Sequence, residues 1–465
     1  MLKAIIYIGV IILLVCSGAV PTFALTFGNF SRLSMEDSSE QFASMPTDRM
    51  EVDLSQPLTL RQCIEIAQKN ASRIRTAQLG LVLQDMNVKD RISQYLPQID
   101  TSGGYQFSDD VDFGWERGNY SASVTARYTI WDHGQRRANY AQAKLRRDSE
   151  YTRYGRTGQN LIFDIIIAYY NVLEAEKLIA VGEESLKQSR NNVDKIKAFV
   201  EVGIAIESDI STARVKQASD ELAVINDQNN LELAKADLAV LMGMNPDVDF
   251  SILDEPDYEK YIQTGLIDIE EISVDDAVSQ ALIERSEMEE SKANKAVLEW
   301  SLMLAQLDRW PRITADCDYS LGLDDYLSER DALKNHKSWN VSARMSYPVF
   351  DGGRSSRTVQ RAEIAIQQVD ESFLELERSI ALEVYQSYIS LERTRKSLDI
   401  TSVQVEDAKM SLDVTQGRYD QQMIILLELL DAQARYAQSL TNQVRAFYDY
   451  KVAMGSLQKA MGVLQ

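Results

Sequence analysis

Two stretches of this chain repeat one another in register over about 200 positions, and that duplication constrains the fold more than any other feature. Leu58-Thr59-Leu60 through Ala67 returns as Ile272-Ser273-Val274 through Ala281, and Leu96-Pro97-Gln98-Ile99 returns as Trp310-Pro311-Arg312-Ile313, both at an offset of 214. Tyr128-Thr129-Ile130-Trp131-Asp132-His133-Gly134 then matches Tyr347-Pro348-Val349-Phe350-Asp351-Gly352-Gly353, and Leu241-Met242-Gly243 matches Ala460-Met461-Gly462, both at 219. The change of offset falls between Ile313 and Tyr347, inside one loop, where insertions are tolerated.

Each unit reads as helix, strand, strand, long helix, shorter helix. The strands show period-two alternation. Tyr120, Ala122, Val124, Ala126, Tyr128 and Ile130 oppose Ser121, Ser123, Thr125, Arg127 and Thr129; Trp339, Val341, Ala343, Met345, Tyr347 and Val349 oppose Asn340, Ser342, Arg344 and Ser346. Partner strands carry Ile313, Ala315, Cys317, Tyr319 and Leu321, and more weakly Ile99, Thr101, Gly103, Tyr105 and Phe107. Alternation alone fits a half-buried hairpin on a soluble core. Length and end-placed aromatics fit a membrane barrel instead.

The helices are long. From Leu161 through Ile165, Ala168, Val172, Ala175, Ile179, Gly182, Leu186, Ser189, Val193 and Ile196 to Val200 runs an unbroken four-three spacing, which implies left-handed coiled packing. At 1.5 Å per residue, Asp132 to Val200 would span roughly 100 Å, and Leu58 to Tyr95 and Ile206 to Met242 about 55 Å each. The second copy repeats this with Asp351 to Tyr419, Ile272 to Leu307 and Ile424 to Met461. Two short helices end to end therefore match one long helix, as in a cylinder wall. Four strands are too few to close a barrel, and open strand edges are not tolerated in lipid, so several chains must share one barrel.

Composition supports a folded, exported protein. Apolar residues make up 45%, and the net charge of −21 argues against nucleic acid as a partner. Lys3, the apolar run Ala4 to Val15 and Thr22-Phe23-Ala24 read as a secretory signal, with Cys16 raising a lipoprotein alternative and an uncleaved anchor a weaker one. The expected division is a signal peptide at 1–24, an N-terminal extended leader at 25–57, a first structural repeat at 58–246, an inter-repeat linker at 247–271 and a second repeat at 272–465. Loops Asp109 to Arg117 and Asp324 to His336 are expected to face outside the cell. Cys63 and Cys317 fall on different elements, which argues against a disulfide between them.

The order of these parts resembles the TolC-like outer-membrane efflux proteins from about Leu58 to the C-terminus. The resemblance is carried by the two strand-to-helix junctions quoted above, by Ala168-Tyr169-Tyr170-Asn171-Val172-Leu173, and by Leu427-Glu428-Leu429-Leu430-Asp431-Ala432-Gln433. It implies a mainly α fold with β, in which a homotrimer shares an outer-membrane β-barrel, four strands per chain, continued by a long α-helical barrel in the periplasm. It further implies an exit duct for a tripartite efflux or type I secretion system, opened when a periplasmic adaptor and an inner-membrane transporter dock.

By the same resemblance, the gated end lies at the two helix turns. Ser208 and Asp209 match gate residues, Tyr419 matches a gate tyrosine, and Glu428 and Asp431 match acidic rings that would favour cations in a narrow lumen. The turn tips Gly203, Ile204, Gln422 and Met423 would meet the adaptor. Two positions depart from the pattern: Ile424 stands where the family's closure uses an arginine, and Gln422 replaces an expected glycine. Read from the residues alone, the three carboxylates equally suit a solvated helix surface, and Tyr419 equally suits packing.

No enzyme chemistry is legible. His133 and His336 are the only histidines, no Cys pair has ligand spacing, and Asp351-Gly352-Gly353-Arg354 lacks the Gly-Lys-Ser/Thr of a phosphate loop. No cofactor is implied. A secreted coiled-coil scaffold or adhesin is the alternative, and the alternating strands weigh against it.

Overall fold

The computed structural model describes residues 56–110, 115–253, 273–324 and 337–464. The signal, nearly all of the leader, most of the linker, residues 111–114 of the first outward loop and nearly all of the second lie outside these residues.

The element order is α1 (Leu60–Asn70), α2 (Ser72–Ser93), β1 (Gln98–Asp110), β2 (Trp115–Trp131), α3 (Gln135–Glu201), α4 (Glu207–Leu241), α5 (Val274–Glu284), α6 (Ser286–Leu307), β3 (Arg312–Asp324), β4 (Lys337–Ser346), α7 (Arg354–Asp420) and α8 (Leu426–Ala460). The duplication holds element by element. Both long helices have 67 residues and both turn-side partners have 35.

The expectation of single helices at Leu58 to Tyr95 and Ile272 to Leu307 is corrected: each is broken, at Ala71 and at Arg285, where ψ is 127° in both. Neither break contains Pro or Gly. The cause is tertiary. Gly243 ends α4 against Asn70 and Ala71, and Gly462 ends α8 against Glu284 and Arg285, both glycines being left-handed with φ of 76° and 77°. The short helices therefore meet end to end at these breaks, α4 beneath α2 and α8 beneath α6, while α1 packs on α3 and α5 on α7.

Capping sets the helix starts. Thr59 and Gln62 form a reciprocal capping box on α1, and Ser273 accepts from the Asp276 amide on α5. At the long helices the aromatic-Asp-Gly segment has a physical meaning. Asp132 accepts from the amides of Gly134 (3.2 Å) and Arg136 (3.0 Å), and Asp351 accepts from Gly353 (3.0 Å) and Ser355 (2.8 Å). The aspartate satisfies amides the helix leaves unpaired, and the glycine supplies the left-handed step that enters it. Beside this junction His133 stacks on Trp310 (4.4 Å) and meets the edge of Trp131 (5.0 Å).

The four strands form one antiparallel sheet in the order β1-β2-β3-β4. Register aligns Thr101, Val124 and Tyr319, and then Tyr319 with Trp339, so the apolar residues of all four strands share one face. That face is bare: Tyr105, Phe107, Tyr120, Val124, Val341 and Met345 are exposed, and Trp339 is 68% exposed. The opposite face is polar and cross-linked by Arg127–Asp316 (3.0 Å), Ser102–Ser123 (2.8 Å) and Ser320–Ser338 (2.6 Å). Among the described residues, the outer edges of β1 and β4 have no strand partner.

In the helical part, α3 packs on α2 and α6 towards the sheet and on α4 and α8 towards the turns; α7 packs on α6 and α8. The four-three seam of α3 is its buried stripe, with Leu161, Ile165, Val172, Leu186, Val193 and Ile196 all inside. Gln142 ties α3 to α6 through the Val297 carbonyl (2.9 Å) and Ser301 (2.6 Å). The wall has two unfinished sides. α7 exposes Leu382, Tyr385, Ile389, Ile400 and Val403, and α4 exposes Val215, Leu222, Ile225, Leu233 and Val240. No described helix is long and apolar enough to cross a membrane.

Candidate functional site

The two helix turns lie at the end of the wall away from the sheet, and both close by the same motif. At the first, the Ile204 amide donates to the Phe199 carbonyl (2.8 Å) and the Gly203 amide to Val200 (2.9 Å); at the second, Met423 donates to Arg418 (2.9 Å) and Gln422 to Tyr419 (2.9 Å). Such a cap requires a left-handed residue. Gly203 supplies it at φ 79°, and Gln422 adopts φ 61° despite its side chain. Val202, Ile204, Ile206, Met423, Ile425 and Leu427 are all exposed here.

Above the tips the two hairpins share a core. Val193 and Ile196 of α3, Ala213 of α4, Leu412 and Tyr419 of α7, and Leu426, Leu429 and Leu430 of α8 are buried together, with Phe199, Ile210, Ile424 and Tyr436 against them. Ile424, where an arginine is expected from the resemblance, is thus a packing residue. Asn192 donates to Gln433 across α3 and α8 (2.7 Å).

Tyr419 is 8% exposed and lies 6.3 Å from the Phe199 ring. Burial, and then the carboxylates of Asp209 and Asp420, push its hydroxyl above its ordinary value. Asp209 sits in the first turn of α4, where a carboxylate complements the helix dipole; Ser208 beside it is exposed. The Asp209 charge therefore reaches Tyr419. Glu428 and Asp431 are exposed on α8.

Three residues of this region escape reading along the sequence. Lys195 of α3 pairs with Asp420 at the end of α7 and lies over both Phe199 (5.7 Å) and Tyr419 (5.6 Å). Asp420, held below its ordinary value first by the Lys195 hydrogen bond, is its acidic partner. The third is Arg435, which pairs with Asp431 at 2.8 Å and offsets half of the expected acidic pair. Its i,i+4 spacing is the one signal the sequence carries; Lys195 and Asp420 lie on different helices and carry none.

A profile of the outer membrane efflux protein family matches residues 63–244 and 277–463, once per repeat. Among individual proteins, the chain is 20% identical over 383 residues to outer membrane protein TolC of Vibrio cholerae, covering 80% of this chain and 83% of that one. To TolC of Escherichia coli it is 21% identical over 428 residues, covering 88% and 83%. In structure it resembles the open-state MtrE outer membrane channel of Neisseria gonorrhoeae, with a TM-score of 0.72, 18% identity and coverage of 87% and 89%.

Proposed function

This chain belongs to the outer membrane efflux protein family, and from that premise we propose that it is the exit duct of a tripartite efflux or type I secretion system, not an enzyme. Three copies pool their four-stranded sheets into one barrel in the outer membrane, and the helical wall continues as a tunnel in the periplasm.

The observation that carries this reading is the sheet. Its apolar face is bare and its polar face is cross-linked, the reverse of a soluble hairpin, which would hide the apolar side. In hydrocarbon the bare face is at home, but the free edges of β1 and β4 are not, because each unpaired amide or carbonyl there costs several kcal/mol. Pairing β4 of one copy with β1 of the next removes both edges. Nothing in the bare sheet suits a secreted scaffold.

The duplication supports the same assembly in the helices. Within one chain, Gly455 of α8 packs at Ile166 of α3, and Lys459 lies over the Phe163 ring (4.6 Å). Shifted by the repeat offset of 219, Ile166 and Phe163 become Tyr385 and Leu382, while Gly455 and Lys459 become Ala236 and Val240. Leu382 and Val240 are 55% and 58% exposed. An α4 from the next copy on α7 would thus repeat the α8–α3 contact and cover both unfinished sides, a head-to-tail interface that closes as a ring.

At the turn end, Asp209, Tyr419, Glu428 and Asp431 line the gated constriction, and the apolar tips with Gly203, Ile204, Gln422 and Met423 receive the adaptor, through which the inner-membrane transporter is coupled. Membrane fractionation tests the reading. The protein should sediment with outer membranes, need detergent for release and then run as a trimer; recovery as a lipid-free periplasmic monomer would exclude it.

A further inference from the structure

Resting on the duct reading, we propose that Lys195 is the basic residue that holds the turn end closed, tying hairpin α3–α4 to hairpin α7–α8 through Asp420. A duct widens at this end only if its hairpins move apart, so a contact between them resists opening. Lys195 is built for that contact. Its ammonium pairs with Asp420, whose carboxylate is also held by Gln416 Nε2 at 2.9 Å, and it lies within cation–π range of Phe199 and Tyr419, one ring from each hairpin.

The tie is also able to release. Lys195 and Asp420 side chains are 34% and 48% exposed, so water and salt screen their attraction, and a docking partner has little to overcome. With Ile424 partly buried against the shared core, no cation is available at that position. Position 414, which the repeat offset of 219 makes the equivalent of Lys195, holds Val414, so the tie is not duplicated in the second half of the chain.

Single-channel conductance of the purified protein in planar bilayers tests this. Lys195→Met and Asp420→Asn should each raise open-state occupancy about two- to fivefold. Lys195→Arg should restore closure, as should the exchange Lys195→Asp with Asp420→Lys, and the difference from wild type should narrow in concentrated salt. Conducting wild type with both single variants indistinguishable from it would overturn the tie and leave the duct reading standing. Silence of the wild type and of both single variants alike would overturn both. Should a single variant lose its oligomer, the exchange variant decides: closure supports the tie, and an open channel refutes it.

Discussion

A β-carbon placed on Gly243 would lie 2.5 Å from the carbonyl oxygen of Asn70, closer than any side chain tolerates, on a residue already held at φ 76°. This contact is where α4 butts against the break between α1 and α2. Its counterpart is looser, since the nearest atoms to a β-carbon on Gly462 are at 3.2 Å. Gly243→Ala therefore meets the left-handed penalty of about 1–2 kcal/mol and overpacking of about 1–3 kcal/mol. Thermal unfolding in detergent should show a clear drop for Gly243→Ala and a smaller one for Gly462→Ala; equal drops would mean the two stacking points are equivalent.

Gln422 offers the opposite experiment. It fills a cap position that demands left-handed backbone, at φ 61°, and its neighbourhood is exposed. Gln422→Gly should stabilise the protein by about 1 kcal/mol, read as a higher unfolding midpoint. A lower midpoint would show that the glutamine side chain contributes more than its backbone strain costs.

The acidic pair on α8 should not act as a pair. Asp431 is paired with Arg435 at 2.8 Å, whereas no ion pair is seen for Glu428 among the described residues. Reversal potentials in a salt gradient should show cation selectivity falling more for Glu428→Gln than for Asp431→Asn, and Arg435→Gln should raise it. The reverse ranking would place the selective carboxylate at Asp431.

Acidity should act through Glu174 in a direction unusual for a carboxylate. Burial, and then the Asp449 charge, raise its folded-state value, with Arg445 opposing (3.8 Å). A raised carboxylate binds its proton more readily folded than unfolded, so lowering pH from neutral through the raised value, towards the ordinary glutamate value of about 4.3, adds stability. Glu174→Gln should flatten that part of the pH–stability curve. An unchanged slope would assign it elsewhere, with Asp227, raised chiefly by burial, the next group to replace.

Much of the fold was legible because its determinants are local or repeated. The seam from Leu161 to Val200 is a periodicity, and the long helices begin within three residues of Asp132 and Asp351 because those aspartates cap them. The breaks at Ala71 and Arg285 were not legible, since distant glycines produce them. The site divides the same way. The turns follow from the repeat and Tyr419 was expected only from the family resemblance, whereas Lys195 and Asp420 are joined only by folding, across 225 positions.

The account stands on several copies closing one ring, and a disulfide between Ala236→Cys and Tyr385→Cys, the repeat equivalents of the close Gly455–Ile166 contact, tests that most directly. Cys317→Ala removes one native thiol, and Cys63 can stay, because burial pushes its thiol up to about 12 and keeps it unreactive. After mild oxidation of membranes, the double variant should run as a covalent trimer on a denaturing gel, while each single cysteine variant stays monomeric. A double variant that stays monomeric under the same oxidation would contradict the ring.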